Sequence, residues 1–248
     1  KNADNDILGV GVQAILLVED SVRYYSTYLP ELYKMIIKQS SEFNKETLNV
    51  QQRKLRKRSR PKILLATNLD DAMAMYSKYK SNLLGVISDV GFTVHKDDSP
   101  ENEKLDAGID LVRHIKADNP IMPILLQSSQ DTISEEAKEL GVGFLRKYSK
   151  TLMLQLSDYI KEEFAFGDFV FRDAGRMEYG RAANLKELEK MMREVPDDIL
   201  LANTSKNMFS KWFLARGLFT LGVKFKTVSE SHFASVEELR DYVSQQIH

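Results

Sequence analysis

Leu83-Leu84-Gly85-Val86-Ile87-Ser88-Asp89-Val90-Gly91 is the stretch that most narrows what this chain can fold into. A run so short and apolar suits a strand buried on both faces of a parallel sheet, and in such sheets reactive groups gather at the carboxyl ends of strands. Asp89 stands at that end. Taken alone, it could equally be an aspartate that only caps the following turn. Four other apolar runs bear on the choice. Ala14 to Val18 ends in Glu19-Asp20, Lys62 to Thr67 ends at Asn68, Pro123 to Gln127 ends in Ser128-Ser129, and Gly143 to Arg146 ends in Lys147.

Helix-like segments separate these runs. After Asp20, Ser21 is placed to cap a helix with Val22, Tyr25, Leu29, Leu32 and Ile36 at helical spacing, and Pro30 is expected to kink or end it. Asn68 caps a helix whose face carries Ala72, Met75, Tyr76 and Tyr79. Ile109, Val112 and Ile115 line a third, ending before Asn119-Pro120, with His114 as a surface or packed histidine. Glu135 to Leu140 is a short fourth helix stopped by Gly141, and Thr151 to Phe164 is a fifth, with Leu152, Leu156, Tyr159 and Ile160 inward. Strand and helix thus alternate, which predicts a doubly wound five-stranded parallel sheet with right-handed crossovers.

Two segments interrupt the alternation. From Gln39 to Arg60 the helical pattern dissolves, and Arg53, Lys54, Arg56, Lys57, Arg58 and Arg60 crowd together. With no aromatic interleaved for base stacking, this reads as a solvated helix extension rather than a phosphate contact. Val90 to Ala107 carries Asp97, Asp98, Glu101, Glu103 and Asp106, but without the alternating spacing and closing glutamate of a calcium loop. It reads as a mobile surface insertion.

Composition sets the remaining bounds. The formal net charge of -1 gives no global pull toward nucleic acid or anionic lipid, and the absence of cysteine removes disulfides and thiolate metal sites. No apolar run is long enough to span a membrane, so a cytoplasmic protein is expected. The first residue is Lys1, with no signal-peptide pattern after it, which suggests a piece excised from something longer.

Beyond the fifth helix the pattern changes. Asp168-Phe169-Val170-Phe171 and Met177-Glu178-Tyr179 flank Gly175 as a small hairpin. Helices then follow: Leu185 to Arg193 capped by Asn184, one restarting at Pro196-Asp197-Asp198, one from Ser210 to Leu221 with the only tryptophan, and Ser235 to Ile247. Trp212, Phe213 and Phe219 read as core. There is no helix-turn-helix, so DNA binding is not expected, and neither a nucleotide loop nor a metal-binding histidine pair is present. The expected organisation is a lead-in over 1–13, an α/β domain over 14–165 with insertions near 39–60 and 92–107, and a mostly helical domain over 166–248.

The strand ends bring together Glu19, Asp20, Asp89, Ser128 and Lys147. Three carboxylates can hold a hard cation such as Mg2+, and one can attack phosphorus as a nucleophile. An ammonium and a hydroxyl suit the phosphoryl oxygens. Through Val18-Glu19-Asp20-Ser21, Ser88-Asp89, Pro123 to Ser128 and Phe144-Leu145-Arg146-Lys147, in that order, the chain resembles the receiver domain of two-component response regulators over about Ala14 to Phe164. The resemblance implies a flavodoxin-like, cytoplasmic, bacterial phosphorelay module, not an enzyme, with a histidine kinase or phosphotransfer protein as partner. It also implies Asp89 as phosphoacceptor, Glu19 and Asp20 as the acidic Mg2+ pair, and a Gly91 carbonyl ligand. Ser128 would be the hydroxyl switch, Lys147 the phosphate partner, and Phe144 either the aromatic switch or a permanently buried core residue.

Three features depart from that family. The Met-Pro usual after the phosphorylated aspartate is replaced by the acidic insertion, Tyr148 follows Lys147 where proline is common, and the basic segment lengthens the first helix. A docking module that does not switch is therefore the alternative. A haloacid-dehalogenase-type phosphatase is disfavoured because Gly91 stands where its second aspartate would be. Asn184 to Leu188 and Phe209 to Arg216 look similar to a helical region found beside receiver-like domains in large bacterial proteins with phosphoenolpyruvate/pyruvate-binding modules, implying covalently linked enzyme domains as the output.

Overall fold

A computed structural model describes residues 3–45 and 60–247 and divides the chain into two units, Lys1–Tyr159 and Ile160–His248. In the first unit, β1 (Ala14–Val18), β2 (Lys62–Ala66), β3 (Leu83–Asp89), β4 (Ile124–Ser128) and β5 (Gly143–Arg146) form one sheet in the order β2-β1-β3-β4-β5, all pairs parallel. This is the flavodoxin-like doubly wound order, with its switch point between β1 and β3. Glu19 and Asp89 therefore end neighbouring strands.

Both faces of the sheet are covered, as the apolar runs require. Ala14, Leu16, Val18, Val86, Ile124 and Leu126 pack with Ala72 and Tyr76 of α2 (Leu69–Tyr79), with Ile109, Val112 and Ile115 of α3 (Ala107–Asp118), and with Ala137 of α4 (Ile133–Glu139). Ile15, Leu17, Ile87 and Leu125 are equally buried. They point to the other face, which right-handed crossovers assign to α1 (Val22–Lys45) and α5 (Leu152–Glu163).

Several expectations are refined. Pro30 does not end α1, which runs through it to Lys45. The buried stripe of that helix is Tyr28, Leu32 and Ile36, while Val22 is 64% exposed. Proline costs an interior helix about 3 kcal/mol, and the stripe spans it, so packing on both sides keeps the helix continuous. Arg53, Lys54, Arg56, Lys57 and Arg58 lie outside the described residues. The lead-in is not merely polar: Asn5–Gly9 forms a helical turn that buries Ile7 in the core.

The acidic insertion is strapped down rather than hanging free. Phe92 and Lys104 exchange backbone hydrogen bonds at 3.2 and 3.0 Å, and the Phe92 side chain is fully buried. The carbonyls of Thr93 and Val94 accept from Leu69 and Asp70 amides, satisfying donors that the start of α2 leaves unpaired, while Asn68 Oδ1 caps Asp71 N at 2.8 Å.

In the second unit, β6 (Phe169–Arg172) and β7 (Glu178–Ala182) form the expected antiparallel hairpin. Five helices follow: α6 (Leu185–Glu194), α7 (Asp197–Ser205), α8 (Met208–Ala215), α9 (Phe219–Lys226) and α10 (Val236–Ile247). The segment expected as one helix from Ser210 to Leu221 is two, because Gly217 takes a φ of +71° and turns the chain. Gly222 lets α9 approach Leu214, and Ser210 Oγ donates to the Gly222 carbonyl at 2.7 Å. Trp212 and Phe213 are core as expected, and Phe219 is half-buried. Phe169 stacks on Phe209, and Arg216 lies 3.6 Å over the Trp212 ring while donating to the carbonyls of Ala165 and Gly167. No helix among the described residues is long and apolar enough to cross a membrane.

Candidate functional site

The ends of β1, β3, β4 and β5 deliver their polar residues to one corner of the first unit. Lys147, just past β5, is almost wholly buried and is the hub: its Nζ donates to Glu19 Oε2 at 2.9 Å and also to Asp89 Oδ2. Its own amide donates to the Ser128 carbonyl at 2.8 Å, which ties the end of β5 to the end of β4. Asp89 is held from the other side by the Val90 amide on its Oδ1 at 2.7 Å. Glu19 Oε1 accepts from the Ser21 amide at 3.2 Å, and the backbone of Glu19 is anchored to Ala66.

Glu19, Asp20 and Asp89 each offer one oxygen, all within 4.8 Å of one another. Three carboxylates share one ammonium, and the excess charge is felt. Burial, then the Asp89 charge, pushes the Glu19 carboxyl up to about 7 despite Lys147, and Asp20 is raised for the same two reasons. Burial works against the Lys147 ammonium, but Asp89 and Glu19 outweigh it and hold its pKa above the usual value. A set of clustered, under-neutralised hard oxygens suits a hard divalent cation.

The remaining site residues stand as follows. Ser128 is buried, and its Oγ accepts from the Gln130 amide at 3.1 Å. Phe144 is half-buried and packs against the first unit's core. Gly91 lies two residues past Asp89 with the Glu103 carboxylate against it, where a Cβ would collide. Glu103 reads in the sequence only as one carboxylate of the acidic insertion, yet partial burial and the Asp20 and Asp89 charges push its carboxyl up. The sequence gives no role to Tyr24 and marks Tyr148 only as the residue that follows Lys147 in place of proline. Tyr24 lies with Lys147 Nζ 4.2 Å from its ring centroid, and Tyr148 meets Tyr24 edge-on. Tyr24 follows Asp20 by one helical turn, and that spacing was the available signal.

The Glu19 shift gives a signed expectation. Its folded pKa exceeds its unfolded value, so between about pH 4.5 and 7 the folded state binds the extra proton and its stability falls as pH rises. In urea titrations without divalent cations, the stability of the wild type relative to Glu19→Gln is expected to decline across that window. Were the three carboxylates to hold a divalent cation, its affinity, which needs them deprotonated, would rise through the same window with release of a proton. A flat difference would contradict the assignment.

No protein-family model matches the chain, and no curated protein sequence matches it. Among solved structures it is similar to a response regulator receiver domain protein from Clostridium thermocellum, at 18% identity and a TM-score of 0.39, covering 60% of this chain and 91% of that one. A response regulator receiver protein from Sinorhizobium medicae matches at 16% identity and a TM-score of 0.41, covering 62% and 96%. The chemotaxis protein CheY4 from Vibrio cholerae matches at 16% identity and a TM-score of 0.38, covering 59% and 95%. The fold is the one the pairing order defines: a five-stranded, doubly wound, flavodoxin-like sheet.

Proposed function

We propose that the chain is a receiver-type signalling module, cytoplasmic and part of a bacterial phosphorelay, in which Asp89 accepts a phosphoryl group and regulates an attached or partner output. The observation that carries this reading is the hub at Lys147, whose ammonium bridges Glu19 and Asp89 at the ends of two adjacent strands. A purely structural ion pair needs one carboxylate; here three converge with a buried hydroxyl nearby.

In the proposed transfer, an Asp89 oxygen attacks the phosphorus of a phosphohistidine on a kinase or phosphotransfer protein, or of a small acyl phosphate. The bond from phosphorus to imidazole or acetate breaks, and that group leaves with its electron pair. Bound through Glu19, Asp20, Asp89 and the Gly91 carbonyl, Mg2+ would offset negative charge on the phosphoryl oxygens. Lys147, already donating to Asp89, follows the charge outward onto the phosphoryl group, and the Ser128 hydroxyl turns its proton toward it. The site accepts a phosphoryl group; it does not turn over a substrate.

Movement of Ser128 is the proposed start of the readout. Phe144, half-buried and paired through its backbone with Leu126, would rotate into the space released. The helical second unit is the proposed route to an output, and its sequence resemblance suggests a linked enzyme of the phosphoenolpyruvate/pyruvate-binding kind.

Incubation with acetyl phosphate and Mg2+ is expected to add one phosphoryl group by intact mass. Asp89→Asn should abolish it, and chelation of the cation should reduce it by at least tenfold. Absence of an adduct under conditions that label an ordinary receiver would sink the reading.

A further inference from the structure

Lys147 is held by more than its carboxylates. Its Nζ lies over the face of Tyr24, 4.2 Å from the ring centroid, and Tyr24 stacks on the buried Tyr28 with centroids 6.1 Å apart. Tyr148 then meets Tyr24 edge-on at 5.8 Å. It does so from a backbone φ of 69°, in the left-handed region that bulky residues rarely adopt, and with 69% of its surface exposed. Neither burial nor local preference explains a tyrosine there. The contact with Tyr24 does, since strain of this kind persists where the surroundings impose it.

A ring face contributes something that another carboxylate could not. It attracts the ammonium through its quadrupole while leaving the three N–H donors to oxygen acceptors, and it adds no negative charge to a site that already carries an excess. We propose that Tyr24 is a positioning residue: its ring, clamped by Tyr148, holds the Lys147 ammonium where it can pass from the Asp89 carboxylate to the incoming phosphoryl group. This rests on the phosphoacceptor reading above. Without the ring, Lys147 has only Glu19 and Asp89 to orient it, and once the Asp89 charge moves outward onto phosphorus the pull of Glu19 would draw the ammonium inward.

The test uses the full chain, acetyl phosphate with saturating Mg2+, and the rate of adduct formation by intact mass. Tyr24→Leu, which keeps bulk but loses the ring, is expected to slow phosphorylation about tenfold, the size of a partly desolvated cation–π contact. Tyr24→Phe should restore the rate to within about threefold of wild type because it keeps the face. Tyr148→Ala faces the same backbone strain as tyrosine, so it isolates the clamp, and a slowing of about threefold is expected.

A second readout does not depend on phosphorylation. The Lys147 ε-methylene protons should show an upfield ring-current shift in wild type and Tyr24→Phe, and lose it in Tyr24→Leu. A folded Tyr24→Leu that keeps the wild-type rate, or keeps the shift, overturns the positioning role while the phosphoacceptor reading stands. A wild type that takes no phosphoryl group overturns both. Should Tyr24→Leu fail to fold, Tyr24→Met carries the same comparison.

Discussion

Lys147→Met is expected to destabilise the first unit by about 3 kcal/mol near pH 8, in the range found when one partner of a buried ion pair is removed. The lysine is nearly inaccessible, and its loss leaves the buried Glu19 and the partly buried Asp89 without their counter-charge. Below about pH 7 the penalty is smaller, because Glu19 then holds a proton and no longer repels Asp89. The sign with pH follows from this. Removing the ammonium raises the folded pKa values of Glu19 and Asp20 further, so the folded mutant binds more protons than its unfolded chain over a wider range. Its deficit should therefore widen from pH 5 to pH 8 in urea titrations followed by far-ultraviolet circular dichroism. If the carboxylates bind Mg2+ as proposed, the cation should narrow the deficit again, with an affinity roughly tenfold higher because the ammonium no longer competes for the same carboxylates. A deficit independent of pH and of Mg2+ would mean that Lys147 acts through packing alone.

Gly108→Ala is expected to cost roughly 2–3 kcal/mol, although helix propensity alone would make it stabilising by up to about 1 kcal/mol. Gly108 sits in the first turn of α3, and its amide donates to the Val90 carbonyl at 2.8 Å. An added Cβ would run into the Asp89 carbonyl oxygen and lie 2.9 Å from Val90 Cα and 3.1 Å from Asp89 C. These are backbone atoms and cannot rotate away. Either α3 lifts off the sheet or the end of β3 moves, and the second displaces Asp89 from Lys147. If Asp89 is the phosphoacceptor as proposed, its phosphorylation should accordingly fall at least tenfold, in step with the melting temperature. Gly91→Ala is the control: what a Cβ would meet there is the end of the Glu103 side chain, which can swing aside, so a cost under about 1 kcal/mol is expected. Equal effects at the two positions would show that the close approach at Gly108 does not control the site.

The strand ends were readable because each lies where a buried apolar run meets a polar residue, a boundary set by burial and visible one residue at a time. Glu19, Asp20, Asp89, Ser128 and Lys147 were found in that way. Tyr24 and Tyr148 were not, because a ring's role beside an ammonium depends on which helix face turns toward β5, and spacing along one element does not report distances between elements. Glu103 was hidden for a related reason. It reaches Gly91 only because the Phe92–Lys104 backbone pairing folds the insertion back, and no local pattern announces an isolated bridge. Pro30 shows the opposite error, a strong local rule overruled by the packing of Tyr28, Leu32 and Ile36. Gly217 was legible in principle: a glycine between two amphipathic stretches is a standard helix stop, but the aromatic run on both sides masked it.

The pairing order also bears on how quickly each part of the chain acquires its shape. Every pair in the five-stranded sheet is parallel and closes a whole crossover, and β1 meets β3 only after β2 and all the chain between them have been made. The β6–β7 hairpin closes over a few residues, with Asp173 N bonded to the Met177 carbonyl. Loop-closure entropy and contact order make the sheet the slow element and the hairpin unit the fast one. Synthesis compensates, since the slow unit leaves the ribosome first. The only tryptophan, Trp212, lies in the fast unit under Arg216, so its emission follows that unit. Tyr24, with Lys147 Nζ 4.2 Å from its ring centroid, is the chromophore placed to report when the carboxyl ends of the strands have come together.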